Sequence, residues 1–191
     1  GVEDEPLLME LATSLGADVP AQIRPGRALV EGAGERVRRL PDAERAAILI
    51  VPSPERLSTA AVYAEADRLG LPRDPQGLAR ARSAVESNLT QRDGLPPELL
   101  VNELEPAARA LCPPIGEALR AVRDVGAHIA MVSGSGPTVL GLFEGPGGAD
   151  AARTAALVLA GRHPGTVAVT PVGGEFGRPS PPPLKGIPTP A

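Results

Sequence analysis

Three short stretches hold residue types that could handle a phosphate, a hydroxyl and a flat ring. Ser133-Gly134-Ser135-Gly136-Pro137-Thr138 sets two glycines among hydroxyl residues. Such a loop can present backbone N–H groups to an anion, because no Cβ blocks the approach. The same pattern also suits a tight hairpin whose glycines only supply unusual dihedrals. In Gly16-Ala17-Asp18-Val19-Pro20 a carboxylate sits between a helix stop and a rigid proline. A carboxylate held this way can accept a proton from a substrate hydroxyl, and it can equally serve as a turn-former bonding its own backbone. Ser58-Thr59 opens a helical pattern that carries Tyr63 one turn after Thr59, on the same face. Thr59 and Tyr63 could therefore line one site, and a ring at that spacing either stacks on a nucleobase or fills the core.

Other polar groups point to less chemistry. Asn102-Glu103-Leu104-Glu105-Pro106 stands just ahead of a helix, where an amide and two carboxylates suit capping and the helix dipole better than a metal. His128 and His163 have no second histidine or cysteine at ligand spacing, so no zinc site is expected. Cys112 is alone, which rules out an internal disulfide and fits a reducing cytoplasm.

The elements that must position these residues follow from periodicity. Asp4 and Pro6 open a helix whose Leu8, Leu11, Ala12 and Leu15 share a face before Gly16. Short strands are expected at 28–32 and 36–40, and the apolar run Ala46 to Val51, closed by Pro52 and Pro54, reads as a buried strand. Helices are predicted from Ser58 to Gly70, from Gln76 to Leu89, from Leu99 to Leu111 and from Pro114 to Val125. Strands Ile129–Val132 and Val139–Phe143 flank the glycine loop, a helix carries Ala152, Ala155, Ala156 and Leu159, and a last strand runs from Thr166 to Thr170.

This order predicts an α+β chain: a ferredoxin-like split β-α-β with extra helices in the first crossover, its sheet antiparallel and its helices on one face. Residues 1–44 are expected to be the end of a preceding domain, 45–176 the main domain, and 177–191 a Pro-rich disordered tail. With 42% hydrophobic and 22% charged residues a core is available. A net charge of -4 argues against a nucleic-acid backbone binder, and no apolar run reaches the roughly 20 residues of a membrane span.

Taken in order, LGADVP at 15–20, the glycines from Gly26 to Gly34 ahead of Glu35, the Ser58-Thr59 to Val62-Tyr63 helix opening, NELEPAA at 102–108 and SGSGPT at 133–138 resemble one family. It is the 4-diphosphocytidyl-2-C-methyl-D-erythritol kinase family of the GHMP kinases, and the likeness covers residues 7–176. The resemblance implies a GHMP kinase C-terminal domain preceded by the end of the N-terminal domain. It also implies ATP-dependent phosphorylation, with Mg²⁺, of the 2-hydroxyl of a cytidine-diphosphate substrate in the non-mevalonate isoprenoid pathway. On this basis Asp18 is the base or orienting carboxylate. Ser133, Gly134, Ser135, Gly136 and Thr138 form the phosphate loop, and Tyr63 lies against the cytosine with Thr59 beside it.

Departures from the family are an upstream Gly/Ser-rich phosphate loop and N-terminal lysine and asparagine contacts that are not found, so the chain is expected to be a piece that does not catalyse alone. Ala21, Gln22 and Glu103 also replace more usual residues. Two other readings stay open: a GHMP kinase for homoserine, mevalonate or a sugar, and a non-enzymatic ferredoxin-like ligand-binding module. Oligomeric state is not legible.

Overall fold

The computed structural model describes residues 4–23, 26–40, 46–71, 74–88 and 96–172. The chain divides into two compact units, the boundary falling after Leu40.

In the first unit, helix α1 (Glu5–Leu15) begins where expected: the Asp4 carboxylate accepts the Leu7 N–H at 3.1 Å, and Pro6 occupies the first turn, where a missing N–H costs nothing. At its end the Gly16 N–H donates to the Ala12 carbonyl at 3.3 Å. A one-turn helix α2 (Pro20–Ile23) follows, started by the rigid proline of the Asp18 stretch, whose fixed φ suits a first helical position. Strands β1 (Ala28–Glu31) and β2 (Arg36–Arg39) form an antiparallel hairpin with Glu31 opposite Arg36.

The second unit is built on four antiparallel strands, β3 (Ala46–Val51), β4 (Ile129–Val132), β5 (Val139–Glu144) and β6 (Val167–Val169), in the order β4-β5-β3-β6. This is the ferredoxin-like order predicted from the sequence. Between β3 and β4 run α3 (Thr59–Arg68), α4 (Pro75–Asn88), a 3-10 turn (Pro97–Leu99), α5 (Glu105–Leu111) and α6 (Pro114–Asp124), and α7 (Gly148–Leu159) joins β5 to β6.

Strand side chains alternate between faces, and one face carries the buried Leu49 and Val51 of β3, Val132 of β4, and Val139 and Phe143 of β5. Ile115, Leu119 and Val122 of α6 and Ala155 and Leu159 of α7 join them in one core. Each such large side chain removed from water stabilises by about 1.5–3 kcal/mol. Gly141 of β5 lies opposite Leu49, and a Cβ there would stand 2.6 Å from Val122 Cγ1. Its bare backbone is what lets α6 come down onto the sheet.

One predicted helix is shorter than expected. Instead of Leu99 to Leu111, only Glu105–Leu111 is α-helical, because Pro106 has no N–H to continue a helix from upstream and its ring would strike the carbonyl four residues back. The Pro-rich segment at 177–191 lies outside the described residues. Among the described residues no helix is long and apolar enough to cross a membrane.

Candidate active site

The glycine loop is the hairpin turn joining β4 to β5, above the Val132–Val139 pair. Its base is closed by the Ser133 N–H donating to the Thr138 carbonyl at 2.9 Å, and its tip by the Gly136 N–H donating to the Ser133 carbonyl at 2.8 Å. Gly134 and Gly136 have φ of 56° and 82°, a region that costs residues with a Cβ. A Cβ on Gly136 would also meet Val132 Cγ1 at 3.1 Å and Ile115 Cδ1 at 3.4 Å, so this end of the loop is seated on the core. The two glycines thus do what a tight hairpin requires.

They also leave donors available. Among the described residues the N–H groups of Gly134 and Ser135 have no hydrogen-bond partner, whereas that of Gly136 is spent inside the turn. Two adjacent free N–H groups beside hydroxyls are donors of the kind that can receive an anionic oxygen.

The side of the loop is met by α3. Ser58 caps that helix, its hydroxyl accepting the Ala61 N–H at 3.4 Å, which places Thr59 in the first turn. Thr59 Oγ1 is 2.9 Å from Ser135 Oγ. Val62 and Ala66 are the buried residues of α3, while Tyr63, one turn beyond Thr59, is 56% exposed. The ring is therefore not core, and it stands free on the helix that touches the loop.

The other side is met by the segment before α5, whose residues suit a helix cap by type but whose N-cap position, Leu104, makes no side-chain cap hydrogen bond. Asn102 Nδ2 donates to the Val132 carbonyl at 2.8 Å and to the Gly134 carbonyl at 2.7 Å, while its Oδ1 accepts the Leu104 N–H at 3.0 Å. Glu105 Oε2 accepts the Val132 N–H at 3.2 Å and pairs with Arg109 at 3.8 Å. The signal available in the sequence was Pro106, which forbids a helix through Asn102 and so frees its side chain to reach elsewhere.

Asp18 belongs to the first unit, exposed in the turn closed by the Val19 N–H on the Gly16 carbonyl at 3.1 Å. Among the described residues its carboxylate has no hydrogen-bond partner, so the turn is held by backbone and not by the Asp18 side chain. The turn is buttressed from the β1–β2 hairpin: Gly34 lies so close that a Cβ on it would be 2.0 Å from the Ala17 carbonyl oxygen. Arg39 adds a guanidinium hydrogen bond to the Ala21 carbonyl. Among the described residues no group of three or more His, Cys, Asp or Glu could hold a metal ion.

Residues 78–157 match the family described as GHMP kinases C terminal. The 4-diphosphocytidyl-2-C-methyl-D-erythritol kinase of Streptomyces avermitilis is 37% identical over 170 residues, covering 87% of this chain and 56% of that protein. The Streptomyces coelicolor protein of the same name is 40% identical over 133 residues, covering 69% and 44%. A crystal structure of a 4-(cytidine 5'-diphospho)-2C-methyl-D-erythritol kinase superposes with TM-score 0.63 at 30% identity, covering 86% of this chain and 56% of that one. A homoserine kinase from Cytophaga hutchinsonii, at 24% identity and TM-score 0.57 over 81% of this chain and 50% of its own, shares the fold. The chain spans about half the length of the curated relatives it matches. Joined to these proteins by the C-terminal family match and by a likeness running over most of its own length, the chain belongs to the GHMP kinase superfamily.

Proposed function

We propose that this chain is part of an ATP-dependent kinase that phosphorylates the 2-hydroxyl of 4-diphosphocytidyl-2-C-methyl-D-erythritol, in the cytoplasm and in the non-mevalonate route to isoprenoid precursors. The observation that carries the proposal is the Thr59–Ser135 contact at 2.9 Å. It joins a loop with free N–H donors, suited to the phosphates of ATP, to the helix that bears an exposed aromatic ring, suited to the pyrimidine of the acceptor. The names and identities of the relatives support the same substrate.

In this reading the loop N–H groups of Gly134 and Ser135 hold phosphate oxygens, and Ser133 and Thr138 offer hydroxyls on either side. Tyr63 stacks on the cytosine, an interaction worth about 1–3 kcal/mol per base, and Thr59 fixes the adjoining part of the substrate. The substrate 2-oxygen forms a bond to the γ-phosphorus of ATP while the bond from that phosphorus to the β,γ-bridging oxygen breaks. ADP leaves, and the hydroxyl proton passes to Asp18. Phosphoryl transfer needs alignment and charge stabilisation more than covalent chemistry from the protein. Mg²⁺ supplies charge neutralisation on the ATP phosphates in such reactions. The described residues hold no carboxylate cluster fitted to it, and none is assigned to it.

The test uses a property of the chain itself: it has one tyrosine and no tryptophan, so its intrinsic fluorescence reports Tyr63 alone. Cytidine 5'-diphosphate should quench that emission saturably, while inorganic pyrophosphate, which lacks the base, should leave it unchanged. An emission indifferent to the cytidine ligand at millimolar concentration would remove Tyr63 from the site and with it the case for a cytidine substrate.

A further inference from the structure

We propose that Asn102 is a positioning residue for the phosphate loop: its amide grips the Gly134 carbonyl and thereby aims the Ser135 N–H outward. The proposal rests on reading the loop as the phosphate cradle, and it assigns a role to a residue that touches no ligand in that reading.

In a trans peptide the C=O and the N–H of one plane point in opposite directions, so whatever holds the Gly134 carbonyl also sets the direction of the Ser135 N–H. Asn102 Nδ2 holds that carbonyl at 2.7 Å. The preceding plane is fixed in the same way, because the Ser133 carbonyl accepts the Gly136 N–H at 2.8 Å and the Gly134 N–H must then face away. Both free donors are therefore set by hydrogen bonds on the opposite side of the loop.

A primary amide suits this task in a way that near relatives do not. Its two N–H donors are divided between Val132 and Gly134, one on β4 and one on the loop, while its oxygen accepts the Leu104 N–H. A carboxylate could accept from Leu104 but has no proton for either carbonyl. A hydroxyl could serve one carbonyl and leave the other without its donor. Because Gly134 has φ of 56°, the loop backbone adopts a conformation with easy alternatives for glycine, and an external clamp is what selects one of them. Asn102 also ties the loop to the start of α5, so the β4–β5 hairpin and the helical crossover share one anchor.

Isotope-edited NMR on the whole chain tests this. In the wild type, hydrogen-bond scalar couplings should connect the Asn102 side-chain amide to the Val132 and Gly134 carbonyl carbons, and their absence overturns the proposal without any substitution. In Asn102→Ala the Gly134 and Ser135 amide resonances should move and broaden while those of the β3–β5 ladder stay in place. The dissociation constant for ATP with Mg²⁺, read from those same resonances, should rise about tenfold, as expected for losing a hydrogen bond's worth of organisation. Unmoved loop amides, or an affinity within twofold of wild type, overturn the proposal. If Asn102→Ala does not fold, the wild-type couplings still decide. If the wild-type Gly134 and Ser135 amides ignore ATP, the phosphate-cradle reading fails, whereas the couplings and the alanine-induced shifts separately report whether Asn102 sets the loop.

Discussion

Thr59 Oγ1 and Ser135 Oγ lie 2.9 Å apart although 76 positions separate them in the chain. The contact is between two exposed hydroxyls, so its net worth to folding is small, at about 0.5–1.5 kcal/mol. Its meaning is geometric, since it fixes the first turn of α3 against the tip of the β4–β5 hairpin.

A double-mutant cycle measures this link. Thr59→Ala and Ser135→Ala should each weaken binding of the cytidine ligand, and the pair should cost less than their sum by about 0.5–1 kcal/mol. Strict additivity in ligand titrations would mean that the two hydroxyls act separately.

Tyr63 invites a substitution that separates packing from recognition. With 56% of its surface exposed, Tyr63→Ala should change the thermal midpoint little, while cytidine affinity falls by about 1–3 kcal/mol. Tyr63→Phe keeps the ring and should keep most of the affinity. A large loss of stability in the alanine variant would show the ring to be structural after all.

Much of this fold can be read from residue patterns, and the parts that cannot share a cause. The apolar run at Ala46 to Val51, the Ser58 cap and the glycine loop are local signals, and each element appears where its signal lies. Asn102 was legible only as a capping residue, because nothing local announces that the Gly134 carbonyl lies within its reach. Tyr63 was ambiguous between core and ligand, since helical spacing marks a face without saying whether anything covers it. Pro106 is the local signal against a long helix from Leu99, because its missing N–H and its ring both stop a helix that arrives from upstream.

Asp18 carries the sharpest catalytic expectation. In a catalytically competent protein that contains these residues, Asp18→Asn should lower kcat by about 10²–10⁴-fold, with KM for the acceptor changed far less. A fully active asparagine variant, in a steady-state assay of ADP release, would remove Asp18 from the proton transfer.

Gly34 should prove as necessary to that carboxylate as any residue near it. Its φ is 95° and a Cβ would stand 2.0 Å from the Ala17 carbonyl oxygen, so neither a rotamer change nor a flexible neighbour can relieve the clash. Gly34→Ala should destabilise the β1–β2 hairpin by at least about 1–3 kcal/mol, seen as faster hydrogen exchange of its ladder amides, and should displace the turn that bears Asp18. Wild-type exchange rates would contradict the close approach.

The same hairpin turn should respond to pH through Glu35. Its carboxylate takes the Ala33 N–H at 2.6 Å, in space left by Gly32, where a Cβ would lie 2.0 Å from Glu35 Oε1. Backbone hydrogen bonds, first from its own N–H and then from Ala33, hold the Glu35 carboxyl below the ordinary value of 4.5, and the Arg36 charge adds to them. A folded pKa lowered in this way means stabilisation that is fully present above the unfolded value and is lost as pH falls through the folded one. Above pH 4.5 the turn should therefore be closed, and it should loosen only at pH values under that figure. The Ala33 amide resonance, followed from neutral to acid pH, should titrate with a midpoint below 4.5 and should lose that titration in Glu35→Gln. A midpoint at or above the ordinary glutamate value would show that the carboxylate is not bonded to the turn, and that Gly32 is glycine for its positive φ of 68° alone.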